Sequence, residues 1–157
     1  MLNNSNFNDQ SVDFINRLVS AEGVDAGLLA FTFQHEGGFD LYQHPNTNNS
    51  NDPHKWDYGP FQLNYNATMA DLAEGSYSAD GLDLKAIFDQ GEVFDAFQNG
   101  QLAARKLNWL LKASNGDYAV AAGRYKGWGG DRFTGRRDEW KNEGKQFQDF
   151  FKCFTSK

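Results

Sequence analysis

Apolar positions recur along this chain first at helical spacing and then, briefly, at strand spacing. Over residues 11–21, Val12, Ile15, Leu18 and Val19 fall on one face, which predicts an amphipathic helix closed by Gly23. The denser run Leu28-Leu29-Ala30-Phe31-Thr32-Phe33 predicts a second helix, N-capped by Asp25 and ending at Gly37. The pattern then changes. Residues 39–56 are polar, with runs of Asn and two of the three prolines, and so long a loop in a compact domain is usually functional. Beyond it Phe61, Leu63 and Tyr65 alternate as in a short strand, so residues 57–64 read as the return arm of a hairpin, with Gln62 and Asn64 sharing its opposite face.

Helical spacing resumes afterwards. Residues 67–74 predict a short helix capped by Asn66, with Met69, Leu72 and Ala73 turned inward. Residues 75–91 are mixed, with a turn of helix from Asp83 to Phe88. Ala104, Leu107, Leu110 and Leu111 mark a helix over residues 101–114 that extends back to Asp95 across Asn99-Gly100. Asn115-Gly116 ends it, and Asp117 caps the next helix through Tyr125. The last helix runs over residues 134–154, and Phe133, Trp140, Phe147, Phe151 and Phe154 form an aromatic stripe that reads as core packing. The class expected is mainly α (α+β). A polar tail over residues 1–10 precedes a single domain over residues 11–157, large enough to bury a proper core.

Charge and cysteine usage narrow the partners. A formal net charge of -6 argues against nucleic acid, and a monomer is expected. Arg132, Arg136 and Arg137 read as balancing nearby acids such as Asp138 and Glu139, the other reading being a cleft that meets an acidic substituent. The single Cys153 excludes an intramolecular disulfide and suits folding without oxidation. Neither the first residues nor any later stretch reads as a signal peptide or a membrane span. His35, His44 and His54, with Asp40 and Asp52, match no zinc spacing, so a solvated polar loop is expected there, with no metal and no cofactor.

The chemistry is carried by two carboxylates delivered from unlike local structures. Glu36 lies in the last turn of the second helix, on the side of Leu29, Thr32 and Phe33. Apolar surroundings and the negative end of the helix dipole both disfavour its charged form, which suits a general acid. Asp57 sits among Asp52, His54, Lys55 and Tyr58, a polar setting in which a carboxylate stays charged. A lone Glu at a helix end is more often a solvated surface group, and a hairpin with polar turn residues says nothing of sugars by itself.

The order Glu36-Gly37-Gly38-Phe39, an Asn-rich loop, then Asp57-Tyr58-Gly59-Pro60-Phe61-Gln62-Leu63-Asn64 resembles the active-site segment of the lysozyme superfamily. It is closest to the animal, chicken-type lysozymes (Glu-Ser-Gly-aromatic, loop, Asp-Tyr-Gly-Ile-x-Gln-Ile-Asn). It is also similar to the lytic transglycosylase and goose-type branches. Residues 121–130, Ala-Ala-Gly-Arg-Tyr-Lys-Gly-Trp-Gly-Gly, resemble the Ala-x-x-x-Tyr-Asn-x-Gly segment of lytic transglycosylases, with Lys126 in place of the usual Asn. The likeness covers roughly residues 28–128. It implies a helical lobe and a small β-hairpin lobe with a cleft between them. It further implies a glycoside hydrolase of the muramidase type acting on β-1,4 bonds of peptidoglycan, a polysaccharide partner. The alternatives it leaves are a lytic transglycosylase, a chitin- or chitosan-type hydrolase, and a non-catalytic glycan-binding protein. Glu36 and Asp57 would be catalytic; Gln62, Asn64, Tyr58, Tyr125 and Trp128 would contact substrate or position the site. An acid kept protonated by apolar surroundings opposite a carboxylate kept charged by polar ones is the division of labour worked out for lysozymes. Such an enzyme acts outside the cytoplasm, in the periplasm, the cell wall or a secreted fluid, with phage release as a further route. The acidic chain departs from the strongly basic animal lysozymes, and its lone Cys153 departs from their several disulfides, which favours a microbial or phage protein.

Overall fold

The computed structural model describes residues 7–127 and 136–155. Among them the chain is mainly helical, with one small antiparallel sheet. The helices are α1 (Asp9–Glu22), α2 (Ala26–Gly37), α3 (Tyr65–Ala73), α4 (Leu84–Ile87), α5 (Ala96–Ala113), α6 (Tyr118–Tyr125) and α7 (Arg137–Thr155). The sheet pairs β1 (Asp57–Tyr58) with β2 (Leu63–Asn64) in the register Asp57 to Asn64 and Tyr58 to Leu63.

Helix α2 is the centre because its sequence leaves it no polar face along most of its length. Every residue from Gly27 to Phe33 is buried. A helix apolar all round has to be enclosed by others, and α1, α5, α6 and α7 pack against it. Glycine permits the close crossing with α7: a Cβ on Gly27 would stand 2.6 Å from the backbone of Gln148. Farther along α2 an aromatic centre forms, with the Phe33 ring 5.5 Å from Phe14 of α1 and 5.3 Å from Phe61. Asp25 and Asp117 accept from amides in the first turn of α2 and α6 as the sequence predicts, and Asp95 does the same for α5. Gly23 closes α1 in a left-handed conformation.

Several expectations shift. Helix α1 starts at Asp9, capped by Asn8 in a reciprocal box with Ser11, and Phe7 packs 4.7 Å from the Phe39 ring and 5.4 Å from Phe150. The tail over residues 1–10 therefore gives way to folded structure by residue 7. Helix α3 is capped by Asn64 rather than Asn66, and it buries Thr68 while Ala73 is exposed. The strand signal of Phe61, Leu63 and Tyr65 fails because Gln62 adopts φ 47 and breaks the extended run. Phe61 then drops into the core, and Tyr65 opens α3 with its ring stacked 4.5 Å from His54. Of the C-terminal stripe, Trp140 and Phe147 are buried as expected; Phe133 and the side chains of Phe151 and Phe154 lie outside the described residues. Arg136 pairs with Glu139, and Arg137 with Asp117; Arg132 lies outside the described residues.

The end of α2 meets the hairpin turn without clearance. A Cβ on Gly37 would stand 2.3 Å from the Pro60 carbonyl oxygen. Gly37→Ala is accordingly expected to destabilise the fold by about 1–3 kcal/mol through overpacking. The measurement is the urea midpoint, which should fall at unchanged slope; an unaltered midpoint would mean that the turn yields freely.

Candidate active site

Glu36 and Asp57 line the same cleft, a cavity of about 740 Å³. Its walls come from the end of α2, the hairpin, α3, α5 and the end of α6. That volume lies within the range of small-molecule sites on proteins.

The Glu36 side chain is only 13% exposed, and the Lys126 Nζ stands 3.3 Å from its Oε1. Burial dominates its titration and raises its pKa above the ordinary glutamic-acid value. The Lys126 ammonium and then His35 oppose that rise, while the charge of Asp57 adds to it. The result is a carboxyl that keeps its proton to higher pH than a surface glutamate does, with a cation at hand to receive the charge once the proton leaves.

Asp57 is fixed at every level. Its backbone exchanges hydrogen bonds of 2.9 and 3.0 Å with Asn46 on one side and pairs with Asn64 on the other. Its carboxylate accepts from Asn64 Nδ2 at 2.8 Å through Oδ1 and from Asn48 Nδ2 at 3.1 Å through Oδ2. Both amides also donate to the Lys55 carbonyl, at 2.8 Å from Asn48 and 3.2 Å from Asn64. Asn64 caps α3 as well, since its Oδ1 accepts from the Ala67 amide at 3.0 Å. The long polar loop is thus a scaffold, stiffened by Trp56 Nε1 donating to the Ser50 carbonyl at 2.7 Å. Asn48 adopts φ 51, a conformation that Asn tolerates better than most side chains.

The other expected site residues divide. Gln62 and Asn64 both line the cleft, although from a turn and a strand end rather than from one strand face. The Gln62 Nε2 donates to the Gly59 carbonyl at 2.8 Å. Tyr58 is not on the cleft wall: it is 3% exposed, its hydroxyl donates to the Pro53 carbonyl at 2.9 Å, and its ring packs edge-on against Phe88. The pleat accounts for this, because neighbours in a strand point to opposite faces and Asp57 takes the cleft side. Tyr125 lines the cleft from below, and its hydroxyl donates to the Phe61 carbonyl at 2.9 Å. Burial, with the charge of Glu36 next, pushes that hydroxyl well above the ordinary tyrosine range, so it remains a donor. Trp128 lies outside the described residues.

Of the histidines, His35 faces Glu143 of α7 at 2.9 Å and packs 4.3 Å from the Phe31 ring, while His54 is exposed beside Asp52. Among the described residues no three His, Cys, Asp or Glu side chains are grouped to hold a metal ion. Also among them, no helix is long and apolar enough to cross a membrane.

Sequence reasoning passed over several residues of the site. Lys126 read only as a departure from a motif, yet it is the cation beside Glu36. Asn48 was one of many loop asparagines. Trp109, Lys106 and Arg124 line the cleft from α5 and α6. Their signal was their spacing relative to Tyr125 and Leu110, legible only once those residues are known to face the cleft.

Two outcomes follow from this geometry. In Lys126→Met the strongest influence holding the Glu36 pKa down is gone, so its carboxyl should titrate at higher pH than in the parent protein, as followed by carbon-detected NMR. An unchanged titration would place the ammonium elsewhere in solution. Tyr125→Phe should lower stability by about 1–3 kcal/mol in thermal unfolding, because the Phe61 carbonyl is left buried without its donor. No protein-family model matches this chain, and comparisons with curated proteins and with solved structures give no significant match.

Proposed function

We propose that this protein is a glycoside hydrolase of the lysozyme type, with the fold of that superfamily, cleaving β-1,4 bonds in an amino-sugar polymer such as peptidoglycan outside the cytoplasm. The observation that carries the reading is the pairing of unlike carboxyls across one cleft: Glu36 buried at a helix end with its pKa raised, and Asp57 held through both oxygens by amides. Glu36 protonates the glycosidic oxygen as the bond to the leaving sugar breaks. The charge of Asp57 meets the positive charge growing on the sugar ring, stabilising it or trapping it covalently until water enters. Lys126 steadies the Glu36 carboxylate left behind, which then takes the proton of the attacking water.

The test is digestion of purified cell walls. Glu36→Gln should lower kcat by at least about a hundredfold, the usual worth of a positioned acid, and Asp57→Asn by less. Because the active form of Glu36 is the protonated one, kcat should fall as pH rises through its raised pKa. Equal clearing by the Glu36→Gln variant and the parent protein would overturn the assignment. Fragments ending in anhydro sugars, each lighter by one water than a hydrolysed end, would reassign the reaction to a transglycosylase in which Glu36 works without Asp57.

A further inference from the structure

The ionisable side chains of the cleft balance in number but not in pairing. Three acids line it (Glu36, Asp57 and Asp71), as do three cations (Lys106, Arg124 and Lys126), although the whole chain carries a net charge of -6. Two of the cations face acids: Lys126 is 3.3 Å from Glu36, and Lys106 is 3.5 Å from Asp71 with its ammonium 5.2 Å from the centre of the Tyr125 ring. Asp57 is held by amides instead of by a cation. Arg124 is therefore left over. The residue is exposed, and its one hydrogen bond among the described residues is a 3.4 Å bond to the Ala113 carbonyl, at the C-terminal end of α5.

Among the described residues Asp57 and Arg124 thus have no oppositely charged side chain beside them, and under the proposed reaction they ask for different things. Asp57 faces the positive charge that develops on the sugar. Arg124 asks for an anion on the bound polymer. Its planar fork matches a carboxylate through two parallel hydrogen bonds, which a flexible ammonium reproduces poorly. Trp109, which lines the same cleft from α5, offers an aromatic surface for the ring of the sugar that carries the group. Resting on the glycosidase reading, we propose that Arg124 forms a carboxylate-binding subsite that makes the enzyme prefer a glycan bearing carboxylates over a neutral one. An acidic chain gains little from general attraction to such a polymer, so a local cation inside the cleft has to supply the selection.

The carboxylate has two sources, the sugar's own ether-linked acid or an attached peptide. Three soluble polymers separate them: intact peptidoglycan fragments, glycan strands freed of peptide by an amidase, and a neutral chitin derivative. Arg124→Ala should reduce the preference, taken as the ratio of kcat/KM on a carboxylate-bearing polymer to that on the neutral one, by about ten- to hundredfold, the worth of a charged hydrogen-bonded contact. The change should sit mainly in KM, and Arg124→Lys should fall between the two. Loss of preference on the stripped strands assigns the sugar acid, and loss confined to the intact fragments assigns the peptide. An equal ratio in all three proteins overturns the subsite. If the parent protein cleaves none of the polymers, the glycosidase reading falls. Calorimetric binding of the same polymers to the parent and to Arg124→Ala then decides the subsite independently, equal affinities overturning it.

Discussion

The contact between the end of α2 and the Pro60 carbonyl governs the rest of this molecule. It joins the most buried helix to the turn of the only sheet among the described residues, with no room for a side chain at Gly37. Glu36 precedes that contact and Asp57 precedes the turn, so one close approach brings together two carboxyls twenty-one positions apart in the chain. Tyr125 seals the same joint from beneath through its bond to the Phe61 carbonyl, and Asn99, fully buried in α5, donates to the Tyr58 carbonyl from behind at 3.1 Å. The turn thus satisfies its carbonyl groups with side chains from α5 and α6, which is how irregular backbone is tolerated in an interior.

Electrostatically, the cleft is built from opposed effects rather than from a single strong one. Burial raises the pKa of Glu36, and the Lys126 ammonium beside it pulls the other way. Setting both against the same carboxyl leaves a group that can give up a proton and take it back. Asp57 is treated differently, with amides at both oxygens, and amides orient a carboxylate without cancelling its charge. Unlike environments for chemically similar groups are the means by which one fold runs acid and base steps side by side.

How much of this was legible beforehand depends on the range of the information. Helix starts were readable because a cap is local: Asp25 and Asp117 each lie within three residues of the amides they accept from. Asn64 in place of Asn66 was missed because an alternating pattern through Tyr65 argued for a strand, and one left-handed residue at Gln62 outweighed that pattern. Tyr58 was misplaced for a related reason, since the face to which a strand residue points depends on the register of its partner. Lys126, Arg124 and Trp109 belong to the cleft through tertiary packing of α5 and α6 against the hairpin, which no local rule encodes. The acids were readable as a motif, and the cations that complete their surroundings were not.

The double use of Asn64 has a mechanical corollary. Its amide nitrogen grips the carboxylate on β1 while its carbonyl oxygen anchors the first turn of α3, so the rim of the groove and its chemistry share one fastening. Moving α3 outward would drag that amide along and turn the Asp57 carboxylate with it. The width of the groove and the aim of the Asp57 carboxylate are thereby coupled through a single side chain.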